Sequence, residues 1–276
     1  MNLEQKILDR TLIFGILNVT PDSFSDGGKF FTLEKAVAQA KQLINDGADV
    51  IDVGGESTRP GAERITSEEE LSRVIPVVSE LVKQNIVVSI DTMRSEVAKA
   101  AVATGAKYVN DVSGGKADQN MFMTISQLNA KYILMHWRGQ SKNMDDLANY
   151  QDVVKEVIEE LSTQIEKALA AGVKKENLII DPGLGFAKKP EHNWTILQNL
   201  EKFNELKLPM LIGHSRKRFL NELARESNSD IEFKDAATAA ISYQLANEGV
   251  WAVRVHEAKQ TYSAIAAAHR LCGDKL

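Results

Sequence analysis

The chain has 276 residues, with 33 Lys and Arg residues against 38 Asp and Glu residues, so its formal net charge is −5. This acidic balance lacks the basic stripe by which dedicated nucleic-acid binders follow phosphates, and we expect no nucleic-acid partner. Hydrophobic residues make up 43% of the chain and charged residues 26%, which excludes a disordered or collagen-like protein.

The first apolar run, from Leu12 to Leu17, is too short for a secretory signal. No apolar run in the chain approaches the roughly 18 residues of a membrane span. The single cysteine, Cys272, can build neither a disulfide framework nor a cysteine-rich metal cluster. We therefore expect a soluble cytoplasmic protein without a membrane partner.

Short apolar runs alternate with longer amphipathic stretches along the whole chain. The predicted strands are residues 12–18, 48–53, 86–90, 108–112, 132–136, 178–181, 210–213 and 250–256. The predicted helices are residues 33–45, 67–83, 94–104, 119–129, 150–171, 191–205, a split segment at 216–225 and 236–247, and 262–271. Eight strands, each followed by a helix, predict the α/β class and a single (β/α)₈ TIM barrel domain over residues 1–276. An open doubly wound sheet would carry a Gly-rich turn after its first strand, which is missing here.

Polar residues follow the apolar run at the end of every predicted strand. Barrel enzymes place their chemistry at this end, because the loops that leave the strands converge there. The residues concerned are Asn18, Asp52, Asp91, Asn110, Asp111, His136, Asp181, Ser215, Arg254 and His256. Such groups are costly to bury without partners, so their convergence on one rim indicates a functional site.

Several of these residues also have a structural interpretation. We expect Asp52 to pair with a neighbouring barrel residue or with Arg59, and we favour a structural role for His136 at the rim. A structural role is also expected for the remaining histidines, which are His192, His214 and His269. We expect neither Ser57 nor Ser215 to be an activated nucleophile, and no histidine or cysteine spacing is typical of zinc.

An acid and amide group comes from predicted strands three, four and six, with Asp91, Asn110 and Asp181. Carboxylates in a barrel mouth can accept parallel N–H bonds from a heterocycle that carries an amino group beside a ring N–H. This group therefore favours a heterocyclic substrate.

A basic group, formed by Arg59, Lys217, Arg254 and His256, includes residues from the last two strands, where barrels commonly bind phosphate. Arg254 and His256 are two residues apart and so share one face of a strand. Together the two groups fit a heterocycle that bears a phosphate or diphosphate. Alternatively, the basic residues only neutralise the acids of the barrel mouth.

From Phe14 to about His269 the chain resembles the dihydropteroate synthase family. The resemblance is carried by eight blocks in the same order, at residues 15–28, 47–62, 89–92, 110–115, 135–136, 181–186, 215–217 and 254–256. It implies a homodimeric (β/α)₈ barrel that condenses 6-hydroxymethyl-7,8-dihydropterin diphosphate with p-aminobenzoate. The products would be 7,8-dihydropteroate and diphosphate.

The resemblance also implies roles for individual residues. The implied catalytic residues are Asp91, Asp181 and Lys217, and we expect the two carboxylates to stabilise a pterin methylene cation. The implied pterin slot contains Asp91, Asn110, Asp181 and Lys217, with Met135, Phe186 and Gly213 packed nearby. Asn18 would help to hold Mg²⁺ with the diphosphate. The implied anion site is Arg59, Arg254 and His256, and the implied p-aminobenzoate pocket is Phe24, Thr58 and Pro60.

Three departures from the family pattern and two rival functions stand beside this resemblance. Arg218 stands where many members carry Ser, which leaves the contact with the p-aminobenzoate carboxylate undefined. Glu257-Ala258 replaces the usual Asp-Val, from which we expect little effect, and Trp137-Arg138 stands where the family varies. One rival is a methyltetrahydrofolate:corrinoid methyltransferase, whose substrate needs no diphosphate site. The other is a barrel that binds a pterin or a partner protein without catalysis.

Overall fold

The computed structural model describes residues 10–20, 33–56, 64–139, 146–224 and 230–271. Within these ranges, eight parallel strands form one sheet in the order β6-β5-β4-β3-β2-β1-β8-β7. The strands are β1 (Leu12–Asn18), β2 (Val50–Gly54), β3 (Val88–Asp91), β4 (Tyr108–Asp111), β5 (Lys131–Met135), β6 (Leu178–Asp181), β7 (Leu211–Ile212) and β8 (Ala252–Val255). A bridge between Ile180 and Met210 joins β6 to β7 and closes the sheet. The predicted (β/α)₈ barrel is confirmed.

Eight α-helices surround the barrel in the described ranges. They are α1 (Leu33–Asn45), α2 (Ser67–Lys83), α3 (Ser95–Thr104), α4 (Met121–Ser126), α5 (Val153–Ala170), α6 (Pro190–Leu197), α7 (Ile231–Asn247) and α8 (Ala258–Leu271). Short 3₁₀ turns cover Lys175–Asn177, Leu200–Leu206 and Arg218–Leu223. No helix of the described residues is long and apolar enough to cross a membrane.

Two helices begin earlier than predicted because a carboxylate caps each of them, and a third predicted helix is divided. Helix α7 begins at Ile231 instead of 236, because the Asp230 carboxylate accepts the Phe233 N–H at 2.8 Å. Helix α8 begins at Ala258 instead of 262, because the Glu257 carboxylate accepts the N–H groups of the two residues that follow Ala258, at 2.9 and 2.8 Å. The predicted helix 191–205 is divided in two, since Asn199 leaves the helical backbone region.

The interior of the barrel is apolar in its lower half and polar in its upper half. The apolar side chains are Leu12, Phe14, Val50, Tyr108, Ile133, Ile179, Leu211 and Ala252, with Val87 and Trp251 packed against them. Successive side chains of a strand alternate between its faces, so the residue two positions further along also points inward. Those residues include Asp52, Asn110, Met135, Asp181, Gly213 and Arg254. The apolar cluster is thus the floor beneath the predicted site.

Phe14 lies at the centre of this floor. Its ring packs edge-on against Tyr108 with the centroids 5.2 Å apart, and it contacts Trp251 at 5.7 Å. A second and larger apolar layer lies between the outside of the barrel and the helices. The floor therefore closes the barrel from below and leaves the opposite end open to ligands.

We predict that Phe14→Ala lowers the free energy of unfolding by about 3–5 kcal/mol, because it removes a wholly buried ring and leaves a cavity. Urea unfolding monitored by circular dichroism measures this loss. The control is Met123→Ala on α4, where the side chain is 60% exposed and stability should be unchanged. Equal stability of the two variants would contradict the role given to the floor.

Candidate active site

The register of the sheet brings four predicted strand ends into one row. Asn18 is the Cα partner of Gly54, Gly54 is the partner of Asp91, and Asp91 is the partner of Asn110. A similar pairing places Met135 beside Asp181 on the other side of the barrel. The residues predicted to meet at the carboxyl ends of the strands are therefore neighbours across the mouth.

Arg254 joins two carboxylates at the base of this mouth. Its Nε donates to Asp52 Oδ2 and its Nη2 donates to Asp91 Oδ2, both at 2.5 Å. Asn110 Nδ2 also donates to Asp52 Oδ2, at 3.0 Å. Asp52 therefore pairs with neighbouring barrel residues, as predicted. The same contacts show that Arg254 neutralises two acids of the mouth, as the alternative interpretation of the basic residues proposed.

Burial shifts the protonation of the ionisable groups that face the mouth. Burial raises the pKa of Asp91 to about 7, with Arg254 opposing the shift and Asp52 adding to it. Burial also raises the pKa of Asp181, against the N–H bond from Gly183 and the charge of Lys217. Burial lowers the pKa of Lys217 to about 8. Asp91 and Lys217 can therefore exchange protons with a ligand near neutral pH.

The loop after β6, residues 182–187, forms one wall of the mouth and is called the β6 loop here. Lys217 Nζ lies 4.1 Å from the centre of the Phe186 ring, and the Lys217 chain crosses Gly185 so closely that a Cβ there would lie 2.9 Å from its Cδ. A Cβ on Gly213 would lie 3.5 Å from Asp181 Oδ2. The glycines thus keep the backbone close to the charged groups.

Ser215 and His256 meet although 41 residues separate them. The Ser215 hydroxyl oxygen accepts the backbone N–H of His256 at 3.2 Å and lies 3.1 Å from its Nδ1. The hydroxyl can then donate to Nδ1, and the proton of the neutral ring lies on Nε2. The prediction considered only neighbours in sequence and missed this pair. Its geometry orients His256.

The other histidines of the barrel have structural partners. His136 Nε2 lies 3.1 Å from Glu160 Oε2, and its Nδ1 lies 2.8 Å from Lys188 Nζ. His214 is buried, with Nε2 3.0 Å from the Thr238 carbonyl oxygen. Burial lowers the pKa of His136 to about 3 and that of His214 to about 4, so both rings are neutral at pH 7. The structural interpretation of these two residues agrees with the geometry.

The residues predicted for the p-aminobenzoate pocket, Phe24, Thr58 and Pro60, lie outside the described residues, as does Arg59. A cluster missed by the sequence reasoning anchors the chain on both sides of residues 57–63. Arg94 Nη2 donates to Glu56 Oε2 at 2.7 Å and also contacts the Ile65 carbonyl oxygen. Its other terminal nitrogen pairs with Glu70. Arg94 therefore fixes the two points between which residues 57–63 run.

The chain is similar to known proteins over nearly its whole length. The family described as pterin binding enzyme matches residues 14–256. A dihydropteroate synthase from Mycobacterium leprae is 46% identical over 257 residues, which cover 92% of this chain and 90% of that protein. The Xanthomonas albilineans dihydropteroate synthase with 4-aminobenzoic acid has a TM-score of 0.88 at 40% identity, covering 97% of this chain and 96% of the other. The same enzyme in complex with 7,8-dihydropteroate has a TM-score of 0.85 at 39% identity, covering 96% and 95%.

The fold and the site define a (β/α)₈ barrel enzyme with a charged mouth above an apolar floor. The matched family covers the seven strands from β2 to β8 completely and β1 from Phe14 onward, and it ends at His256. The chain therefore belongs to the pterin-binding enzymes and, among them, to the dihydropteroate synthases of folate synthesis.

We predict that Gly183→Ala weakens the binding of a pterin by about 10- to 100-fold, because small displacements of a binding loop have effects of that size. Gly183 has a φ of +69°, and a Cβ there would lie 2.3 Å from the His136 carbonyl oxygen. Fluorescence titration with the pterin measures the change.

Gly249→Ala is the matched control for this substitution. Gly249 has a similar φ of +73°, but a Cβ there would meet nothing within 4 Å. The two variants share the backbone strain and differ in the steric contact. Wild-type affinity in Gly183→Ala, or an equal loss in both variants, would contradict the prediction.

Proposed function

We propose that the chain is a transferase that condenses 6-hydroxymethyl-7,8-dihydropterin diphosphate with p-aminobenzoate. The observation that carries this proposal is the charged mouth itself. The row from Asn18 to Asn110 faces Asp181 and Lys217, and β8 supplies Arg254 beside it. Such a site offers hydrogen-bond partners to a polar heterocycle and positive charge to an anion.

The pterin ring has an amino group beside a ring N–H and a carbonyl oxygen next to them. Asp181 can accept the two N–H bonds in parallel, and the Lys217 ammonium can donate to the carbonyl oxygen. Phe186 and Met135 supply apolar surface for the ring faces. Asn110 and Asp91 remain for the opposite edge of the ring, at the end of the row from β1 to β4.

The diphosphate would lie toward β1 and β8, where Asn18, Arg254 and His256 are found. Arg254 contributes its charge and its Nη1, since Nε and Nη2 already serve the carboxylates. The His256 ring, whose Nδ1 lies 3.1 Å from the Ser215 hydroxyl oxygen, belongs to the same proposed anion site. Arg59, which lies outside the described residues, completes the proposed anion site.

The residues at this edge fit a magnesium ion. Mg²⁺ takes one or two protein oxygen ligands together with water and substrate phosphates. A Cβ on Gly54 would lie 3.6 Å from Asn18 Oδ1 and 3.5 Å from Asp91 Oδ2, so the glycine leaves open space between the two oxygen atoms. Asn18 would hold the ion, which neutralises charge on the diphosphate when bound.

The reaction breaks the bond between the pterin methylene carbon and the diphosphate oxygen and forms a bond from that carbon to the arylamine nitrogen. The positive charge that develops on the methylene and ring lies near Asp91 and Asp181, whose carboxylates stabilise it. The amine loses its proton after attack. No covalent bond to the enzyme is needed, and the Ser215 hydroxyl is engaged with His256.

The location and assembly of the protein are part of the same proposal. The resemblance to the family supports a cytoplasmic homodimer.

The experiment that tests the proposed function measures the release of diphosphate by the purified chain. We expect release only when Mg²⁺, the dihydropterin diphosphate and p-aminobenzoate are all present, with an equal amount of dihydropteroate formed. Omission of each component in turn supplies the controls. Binding of the pterin diphosphate without turnover would instead favour a corrinoid methyltransferase or a binder without catalysis, and methyl transfer to cobalamin would decide between those two.

We predict that Asp91→Asn lowers kcat by about 10²- to 10³-fold, the usual effect of removing one group that stabilises transition-state charge. The affinity for diphosphate, measured by calorimetry, should fall much less, because the amide still fills the same space. Asp146→Asn, at an exposed position, is the control and should behave as wild type. Equal losses in kcat and in diphosphate affinity would mean that Asp91 only holds the substrate.

A further inference from the structure

Lys188 lies behind the β6 loop, and the proposed mechanism gives it no role. The side chain is buried, with the residue only 7% exposed. Its Nζ lies 2.8 Å from His136 Nδ1, 3.0 Å from the Gly183 carbonyl oxygen and 3.2 Å from the Phe186 carbonyl oxygen. Burial lowers the pKa of Lys188 to about 7, and in the charged form its three N–H donors are matched by these three acceptors.

The contact with Lys188 fixes the protonation of His136. Because the ammonium donates to Nδ1, the ring proton lies on Nε2, which donates to Glu160 Oε2 at 3.1 Å. Glu160 also accepts two bonds from Arg138, at 2.9 and 2.6 Å. These contacts form a continuous chain from the β6 loop to α5, which is buried at Lys188 and His136 and partly exposed at Glu160.

The carbonyl groups held by Lys188 belong to residues that shape the pterin slot. Gly183 is bonded on both sides, since its N–H donates to Asp181 Oδ1 at 2.7 Å while its carbonyl oxygen accepts from Lys188. Phe186 carries the ring over which Lys217 Nζ lies. Movement of these two carbonyl groups would therefore displace Asp181, Phe186 and Lys217 together.

We propose that Lys188 is a positioning residue, which fixes the β6 loop so that Asp181 and Phe186 present one geometry to the pterin. His136 and Glu160 hold Lys188 in place by the bonds described above. This inference rests on the proposed function, because it assigns the β6 loop to the pterin and not to p-aminobenzoate. Loss of the Lys188 ammonium should thus weaken the binding of the pterin substrate and leave the binding of p-aminobenzoate unchanged.

The experiment compares Lys188→Met with Lys189→Met. Methionine has nearly the length of lysine and no donor, so it fills the space without the three bonds, whereas Lys189 is exposed and serves as the matched control. We expect Lys188→Met to weaken pterin diphosphate binding by about 10- to 100-fold in calorimetry. The KM for p-aminobenzoate, measured at saturating pterin, should be unchanged. Lys189→Met should match wild type in both.

A second pair of variants tests the same role without changing Lys188. In His136→Asn the side-chain oxygen stands close to the former Nδ1 and can still accept from Lys188, whereas His136→Leu has no acceptor. We expect His136→Asn to keep most of the pterin affinity and His136→Leu to lose about as much as Lys188→Met. This pair decides the question if Lys188→Met does not fold.

Two results would overturn the inference. One is an equal loss of apparent affinity for both substrates in Lys188→Met together with a lower melting temperature, which would show a general structural role. The other is wild-type pterin affinity in His136→Leu. Because pterin binding is measured separately from turnover, a wild-type chain that binds the pterin diphosphate but releases no diphosphate would contradict the proposed function alone.

Discussion

The guanidinium of Arg254, shared between Asp52 and Asp91, is the interaction on which the mouth of the barrel depends. Two carboxylates on adjacent strands, one of them wholly buried, would repel each other and lose their hydration without a cation between them. The planar group meets each of them through a separate nitrogen. It thereby bridges Asp52 and Asp91, while burial raises the pKa of Asp91 to about 7 against the opposing charge of Arg254.

The alternation of side chains along each strand explains why a polar mouth can exist above an apolar core. A floor residue and a mouth residue are two positions apart, as in Val50 with Asp52 and Ile179 with Asp181. The apolar residues exclude water from below, and the same exclusion raises the pKa values of the carboxyl groups above them. The architecture that stabilises the barrel thus also prepares the ionisable groups for a ligand.

Much of the fold and site could be predicted from the sequence because the relevant signals are local. Each strand is a short apolar run, and the residue that ends it must lie at the mouth of a parallel barrel, which placed Asp91, Asn110 and Asp181 together. Helix boundaries were less predictable, since the cap that starts α8 is a single glutamate, Glu257. The side-chain contacts that link Lys188 to Glu160 through His136 were missed, because the sequence alone predicts that a lysine in a loop is exposed to solvent.

The same limit applies to pairs that are distant along the chain. Nothing in the local sequence joins Ser215 to His256 or Arg94 to Glu56, and only the closed barrel brings them within hydrogen-bond distance. The structural interpretation of His136 agreed with the geometry, yet its partners could not be named in advance. Sequence patterns therefore identified the ends of the strands, whereas the contacts that orient those ends required the folded chain.

The closure between β6 and β7 has a mechanical consequence. Within the described residues these strands meet at the Ile180–Met210 bridge alone, whereas β1 and β2 pair over five residues. This junction lies between Asp181 and the segment that carries Gly213 and Lys217, so a ligand held by Asp181 and Lys217 would span it. A ligand that contacts both sides would link β6 to the segment after β7 and stabilise the closed barrel by mass action.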